Sequence, residues 1–325
     1  MHIFSKFMTA AVLLGAAFTL ASCEQNGPEK DQSIVNYEKN HNTAILLVTF
    51  GSTWDEPHAT YEKQIAQFEE EFPNADIFFS FTSKTCINRW YAATGEQFIT
   101  PDLYLESFIE KGYRNVYVQS LHVIPGEEFQ LLRDGYVKPY YNFVVEDETY
   151  EGNCLPACLG TALLTSEEDI AAVGKILVEE FASQLKAGEA VAFMGHGNPI
   201  SDYDHANASY EEIEAWMQEY ALETYGNGNV FVGTVDYPTM LIGHVIDELN
   251  ASGYAKGQKV HLHPLMSIAG DHANNDMSDT EDPESWKSMI TSAGWTVETH
   301  VHGLGDYPAI NDIWISHLKT AISEL

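Results

Sequence analysis

Strand-like and helix-like stretches alternate along the chain, and the alternation starts again near residue 190 with strand ends that match the first half. Ala44–Phe50 is an unbroken apolar run that stops at Gly51-Ser52-Thr53, as a buried parallel strand does. Helical spacing follows over Tyr61–Phe72, a strand over Asp76–Phe81, a helix over Leu103–Glu110 and a strand over Asn115–Leu121. Ser166-Glu167-Glu168 opens a helix that runs to about Leu185. The second half repeats the order: strand Ala190–Met194, helix Tyr210–Tyr220, strand Asn229–Val235, helix Thr239–Leu249 and strand Lys259–His263. Helix Trp286–Ala293, strand Thr296–Val301 and helix Ile313–Ile322 complete it. AILLVTFGS pairs with AVAFMGHGN, DIFFSFTSK with NVFVGTVDY, and LHVIPGEEF with LMSIAGDHA. The expectation is α/β: two similar domains, 43–188 and 189–325, each a parallel sheet with helices on both faces, facing a central cleft. Ligands of such sheets sit at the carboxyl ends of the strands, so the third pair places Glu128 and His272 on opposite walls.

Ahead of that body, Phe7–Leu20 is apolar but too short to span a bilayer, Lys6 precedes it, and Leu20-Ala21-Ser22-Cys23 follows. Residues 1–22 therefore read as a signal peptide and Cys23 as a lipidated N-terminus, in the pattern of a bacterial lipobox. Residues 23–42 are polar and read as a tether. The expected place is the cell envelope, periplasm-facing or on the outer membrane, with the lipid as the sole membrane contact. Sixteen Lys+Arg against 48 Asp+Glu give a net charge of −32, which excludes general nucleic-acid binding. A small anionic ligand needs only a local cationic patch. In an exported chain the close pair Cys154 and Cys158 suits a local disulfide, and Cys86 a buried small hydrophobe.

Three strand ends of the second half carry chemistry. His196 stands between Gly195 and Gly197, Asp236 ends the next strand, and His272 follows the third. Two imidazoles and a carboxylate suit a divalent transition metal with positions left for a substrate. His261, His263, His300 and His302 alternate along strands and are taken as structural. The acids Asp202, Asp204, Glu211, Glu212 and Glu214 read as a solvated loop and helix start. No P-loop, Gly-x-Ser-x-Gly elbow or dinucleotide glycine motif is present.

The segments LLVTFGST, FTSK, QSLHVIPGEEF, FMGHGN, VFVGTVD, PLMSIAGDHANNDM and HGLG, in this order over residues 43–325, resemble the anaerobic sirohydrochlorin cobaltochelatases, class II chelatases of cobalamin biosynthesis. The resemblance implies insertion of Co2+ into a tetrapyrrole without ATP, with Fe2+, Ni2+ or Zn2+ as other divalent candidates. It carries His196 and His272 over as metal ligands and Glu128 as the acid across the cleft. That family usually has Glu-Gly-Tyr-Pro where this chain has Asp236-Tyr237-Pro238, so Asp236 stands as the third ligand with a shorter arm. Residues 133–160 depart from the family pattern. Ser52, Lys84, Arg89 and His122 are substrate-binding candidates, Lys84 and Arg89 (with Arg114 and Arg133) as cations for a polycarboxylate. An exported chelatase leaves two alternatives open: a tetrapyrrole- or metal-binding lipoprotein, or a dechelatase acting on an imported haem-like tetrapyrrole. A homo-oligomer is also open.

Overall fold

The computed structural model describes residues 35–145, 148–151 and 155–325. Two four-stranded parallel sheets form its frame. The first holds β1 (Thr43–Thr49), β2 (Ala75–Phe81), β3 (Asn115–Ser120) and, after the small strands β4 (Tyr141–Val145), β5 (Glu148–Tyr150) and β6 (Leu155–Pro156), β7 (Cys158–Gly160). The second holds β8 (Ala190–Gly195), β9 (Val230–Thr234), β10 (Lys259–Pro264) and β11 (Thr296–Thr299). Their orders are β2-β1-β3-β7 and β9-β8-β10-β11, the same path through both sheets. The duplication in the sequence is thus a duplication of topology. In each half the central strand (β1 or β8) is buried at nearly every position, which is why it reads as a continuous apolar run and not an alternating one.

Helices fill the crossovers: α1 (Asp55–Glu71), α2 (Lys84–Thr94), α3 (Pro101–Glu110), the short α4 (Glu127–Gln130), α5 (Glu167–Glu180) and α6 (Ala182–Lys186). In the second half come α7 (Asp204–Tyr225), α8 (Ile242–Ala251), α9 (Trp286–Ser292) and α10 (Pro308–Ser323). α5 opens on the expected capping box, Ser166 accepting from the Asp169 amide and Asp169 from the Ser166 amide. α2 has no counterpart in the sequence reading. Its apolar stripe is three residues, Cys86, Ile87 and Trp90, and the Ser83 cap and the left-handed Gly95 set its ends.

The helices do not stay with the sheets they follow. α10 packs on β3 and β7 of the first sheet, and α5 packs on α7 of the second half. One core cluster therefore joins the halves, from Ile45, Leu47 and Phe68 to Phe193, Trp314 and Leu318. His317 of α10 and Asp169 of α5 meet at 2.8 Å. The first sheet thus has a C-terminal helix on its face.

Residues 133–160 supply the fourth strand of the first sheet. Leu131–Val137 is a wide π-helical turn, β5-β4-β6 a small separate sheet, and β7 pairs in parallel with β3. The expected disulfide is corrected at one end: Cys158 is a buried free thiol on β7, its pKa pushed to about 12 by burial. Cys154 lies outside the described residues, as do the signal segment 1–22 and Cys23. Glu214 also departs from expectation. It is buried, and it accepts the Val232 amide at 2.6 Å, with burial first and Glu248 nearby raising its pKa to about 7. No helix of the described residues is long and apolar enough to cross a membrane.

Candidate active site: a cavity between the two sheets

A cavity of about 350 Å³ opens between the carboxyl ends of the strands of both halves. The loop after β1 brings Phe50 and Ser52, the loop after β3 His122, Ile124 and Glu128. From the second half come His196 and Asn198 after β8, and Leu265, Ile268 and His272 after β10. By the duplication, Phe50 occupies the place of His196, and Glu128 that of His272. One wall therefore carries an aromatic ring and a carboxylate, and the other two imidazoles.

The imidazoles are set to act together. The rings of His196 and His272 lie 4.7 Å apart, edge to face. His196 donates Nδ1–H to the Gly197 carbonyl at 2.7 Å, and His272 donates Nδ1–H to Asp276 at 2.6 Å. Each pairing fixes the tautomer that leaves the Nε2 lone pair free, as a partner behind a metal-bound imidazole does. Their proton affinities diverge. Burial and the neighbouring His272 push His196 below the ordinary histidine value. Burial would lower His272 too, but the hydrogen bond and charge of Asp276, helped by Asp236 and Asp271, raise it. His272 and Asp276 share one π-helical turn, His272–Met277, a wider loop than an α-turn.

Asp236 lies 4.0 Å from His196 Nδ1, the nitrogen already turned to Gly197, and does not line the cavity. Two imidazoles thus converge, and the carboxylate stands at the edge of one of them. Glu128 accepts from Thr82 Oγ1 at 3.0 Å, and burial, with Glu127 adding, raises its pKa against that hydrogen bond. It lines the same cavity as the two imidazoles, an acid with elevated proton affinity. His122 is buried, its pKa pushed to about 4; Nδ1 meets Ser120 Oγ at 2.9 Å, and Nε2 has no partner. Ser52 is buried in the wall near Gly270. Lys84 and Arg89 lie on α2, half-buried and exposed, and neither lines the cavity, whereas Cys86 between them does.

Three residues not singled out from the sequence complete the site. Phe50 is 43% exposed into the cleft. Trp54 Nε1–H donates to Asp271, tying α1's start to the opposite half. Asn198 accepts the Glu127 amide at 3.1 Å and is held by Asn207, so it positions the turn that carries Glu128. A Cβ on Gly126 would come within 2.6 Å of Asn198, so that turn is closed to larger residues. The only signal of Asn198 was its alignment with Ser52 in the repeat.

Residues 43–323 match the family model described as Cobalt chelatase (CbiK). The chain is 33% identical over 285 residues to a sirohydrochlorin cobaltochelatase of Salmonella typhimurium, covering 86% of this chain and 96% of that protein. It is 32% identical over 282 residues to the sirohydrochlorin cobaltochelatase CbiKC of Nitratidesulfovibrio vulgaris, covering 86% and 91%. Among solved structures, SirB from Bacillus subtilis with Fe3+ superposes with a TM-score of 0.54 at 14% identity, covering 87% of this chain and 96% of that one. A multi-domain protein of Deinococcus radiodurans, described as similar to chelatases, superposes with a TM-score of 0.50 at 11% identity, covering 85% and 54%. These two speak for the fold. Sequence match over nearly the whole folded body, together with the paired imidazoles at the cleft, makes this chain a member of the cobalt chelatase family.

Proposed function

We propose that this chain inserts Co2+ into sirohydrochlorin without a nucleotide, a step of anaerobic cobalamin synthesis. The observation that carries the reading is a cavity lined both by Glu128 and by two imidazoles whose Nδ1 atoms are already paired, leaving Nε2 as the donor. Insertion must strip water from the metal and remove two pyrrole N–H protons. His196 and His272 hold the arriving cation with neutral donors, which bind without the added charge of a carboxylate cage and so release it to the ring. Glu128, with its raised proton affinity, takes one pyrrole proton as the metal enters, and the second passes to solvent water at the open side of the cleft. Phe50, Leu265 and Ile268 offer apolar faces to the macrocycle. Asp236, 4.0 Å from His196 Nδ1 and outside the cavity lining, is proposed as the third, more distant carboxylate donor for the cation.

The same site run in reverse would remove a metal, and the leader at residues 1–23 favours keeping that direction in view, because an exported protein meets imported tetrapyrrole. The exported, lipid-anchored form rests on those residues alone. Purified protein, sirohydrochlorin and Co2+ mixed without nucleotide should convert the macrocycle spectrum to that of the cobalt complex. Loss of metal from a preloaded tetrapyrrole, with no insertion, would instead support the reverse direction.

A further inference from the structure

The second half holds another cluster of imidazoles, away from the cavity. β10 and β11 pair so that His261 lies opposite Glu298. His300, two residues beyond Glu298, falls on the same face. His261 Nδ1 and His300 Nε2 are 2.9 Å apart, and His300 Nε2 is 4.0 Å from Glu298 Oε1. One donor atom from each of the three lies within 4.8 Å of the others. Behind them, His261 Nε2–H donates to Glu189 at 2.7 Å, which leaves the Nδ1 lone pair pointing at His300. Lys259 holds the other oxygen of Glu298 at 2.6 Å and fixes that carboxylate.

We propose that His261, His300 and Glu298 form a second divalent-metal site, backed by Glu189. The chemistry of the donors selects the ion. Two imidazoles and one carboxylate suit first-row cations such as Zn2+, Co2+ or Ni2+ over Mg2+ or Ca2+. A tetrahedral ion of this class holds imidazole nitrogens about 2.0–2.1 Å away, hence roughly 3.3 Å from each other. The two nitrogens need only part by a few tenths of an ångström, and the proton on His300 Nε2 moves to its Nδ1 as the cation takes its place. Glu189 supplies the carboxylate that orients a metal-bound imidazole from outside, and the ring of Phe181, 5.0 Å from His300, walls one side. His261 is 2% exposed, whereas the His300 and Glu298 side chains are 23% and 48% exposed, so an ion can enter from solvent. The site stands apart from the cavity, does not rest on the proposed reaction, and would bind its ion whichever tetrapyrrole the cleft accepts.

The test uses the mature full chain and Co2+ alone, read by equilibrium dialysis with elemental analysis. A His196→Ala, His272→Ala variant should retain one Co2+ per chain. Adding His300→Gln should weaken that remaining binding by about tenfold or more, and Glu189→Gln by about 10- to 100-fold, the usual effect of losing such an outer partner. Because His300 could also matter to folding, Glu298→Gln, at a more exposed ligand, should reproduce the loss. Retention of the ion with undiminished affinity in both the His300 and Glu298 variants would overturn the proposal. So would the absence of any bound Co2+ in the variant lacking the two cavity imidazoles.

Discussion

His196 and His272 sit in one cavity with opposite electrostatic settings, so the proposed capture of Co2+ by this pair should depend on pH. A protonated imidazole cannot bind, and the pKa of His272 is raised by Asp276 whereas that of His196 is lowered by burial. The limiting group on acidification is therefore His272. Co2+ affinity should begin to fall as pH drops through a value above the ordinary histidine pKa of about 6.5. Asp276→Asn removes the charge that raises it, so the midpoint of the fall should move to lower pH. Calorimetry across pH 5–8 reads both curves; a midpoint that stays put in the variant would remove Asp276 from this role. His196→Ala or His272→Ala should each weaken Co2+ binding at pH 7.5, and unchanged affinity in both would dismiss the imidazole pair. The proposed lipid anchor at Cys23 is tested by Cys23→Ser, which should give a soluble or unprocessed form by fractionation and N-terminal mass; membrane association and maturation at the same site in the variant would dismiss the anchor.

Among the elements, α10 carries the most unexpected duty. It follows the last strand of the second sheet, yet Ile310, Trp314, Ile315 and Leu318 bury against the core shared with the first. Trp314→Ala should destabilise the chain by about 3–5 kcal/mol, the scale of a large aromatic lost from a core, measured by urea unfolding. His317–Asp169 ties the same helix to α5. Burial works to raise the Asp169 pKa, but His317, Ser166 and the Thr165 amide bring it below the usual carboxylate value. A lowered folded pKa stabilises above the unfolded value of about 3.9 and is lost as pH falls through the folded one. Asp169→Asn should therefore lower stability at pH 7 and converge with the parent protein in strong acid. The parallel strands and their duplication were legible in the sequence because buried parallel strands are long apolar runs and the repeat aligned their ends; the order of strands within each sheet and the short β7 were not. The destination of α10 was not, since an amphipathic stripe states that a face is buried and not which sheet buries it. α2 was missed because its stripe is only three residues long, and Glu214 because its buried partner, the Val232 amide, leaves no trace in side-chain spacing. The meeting of His196 and His272 at strand ends of one cavity was readable, but the turning of His196 Nδ1 to the Gly197 carbonyl was not, because a residue type does not fix a tautomer.

For the whole molecule, the exchange of helices means that neither half holds its core alone. A fragment of residues 43–188 would expose the face that α10 covers and leave α5 without α7. Expressed alone it should be insoluble or molten, with lost near-ultraviolet dichroism, and should recover when the second half is supplied in trans. A folded, cooperatively melting 43–188 fragment would contradict this. The same interlock holds the two cavity walls at fixed distance, with Trp54–Asp271 and Glu127–Asn198 tying them directly. The proposed insertion then depends on those two walls, His196 and His272 on one and Glu128 on the other. The most direct test is Glu128→Gln, measured as insertion rate against Co2+ affinity in the same preparation. Turnover should slow by about 10²-fold or more, the scale of losing a general base, with Co2+ affinity unchanged. A normal rate in that variant would contradict that role.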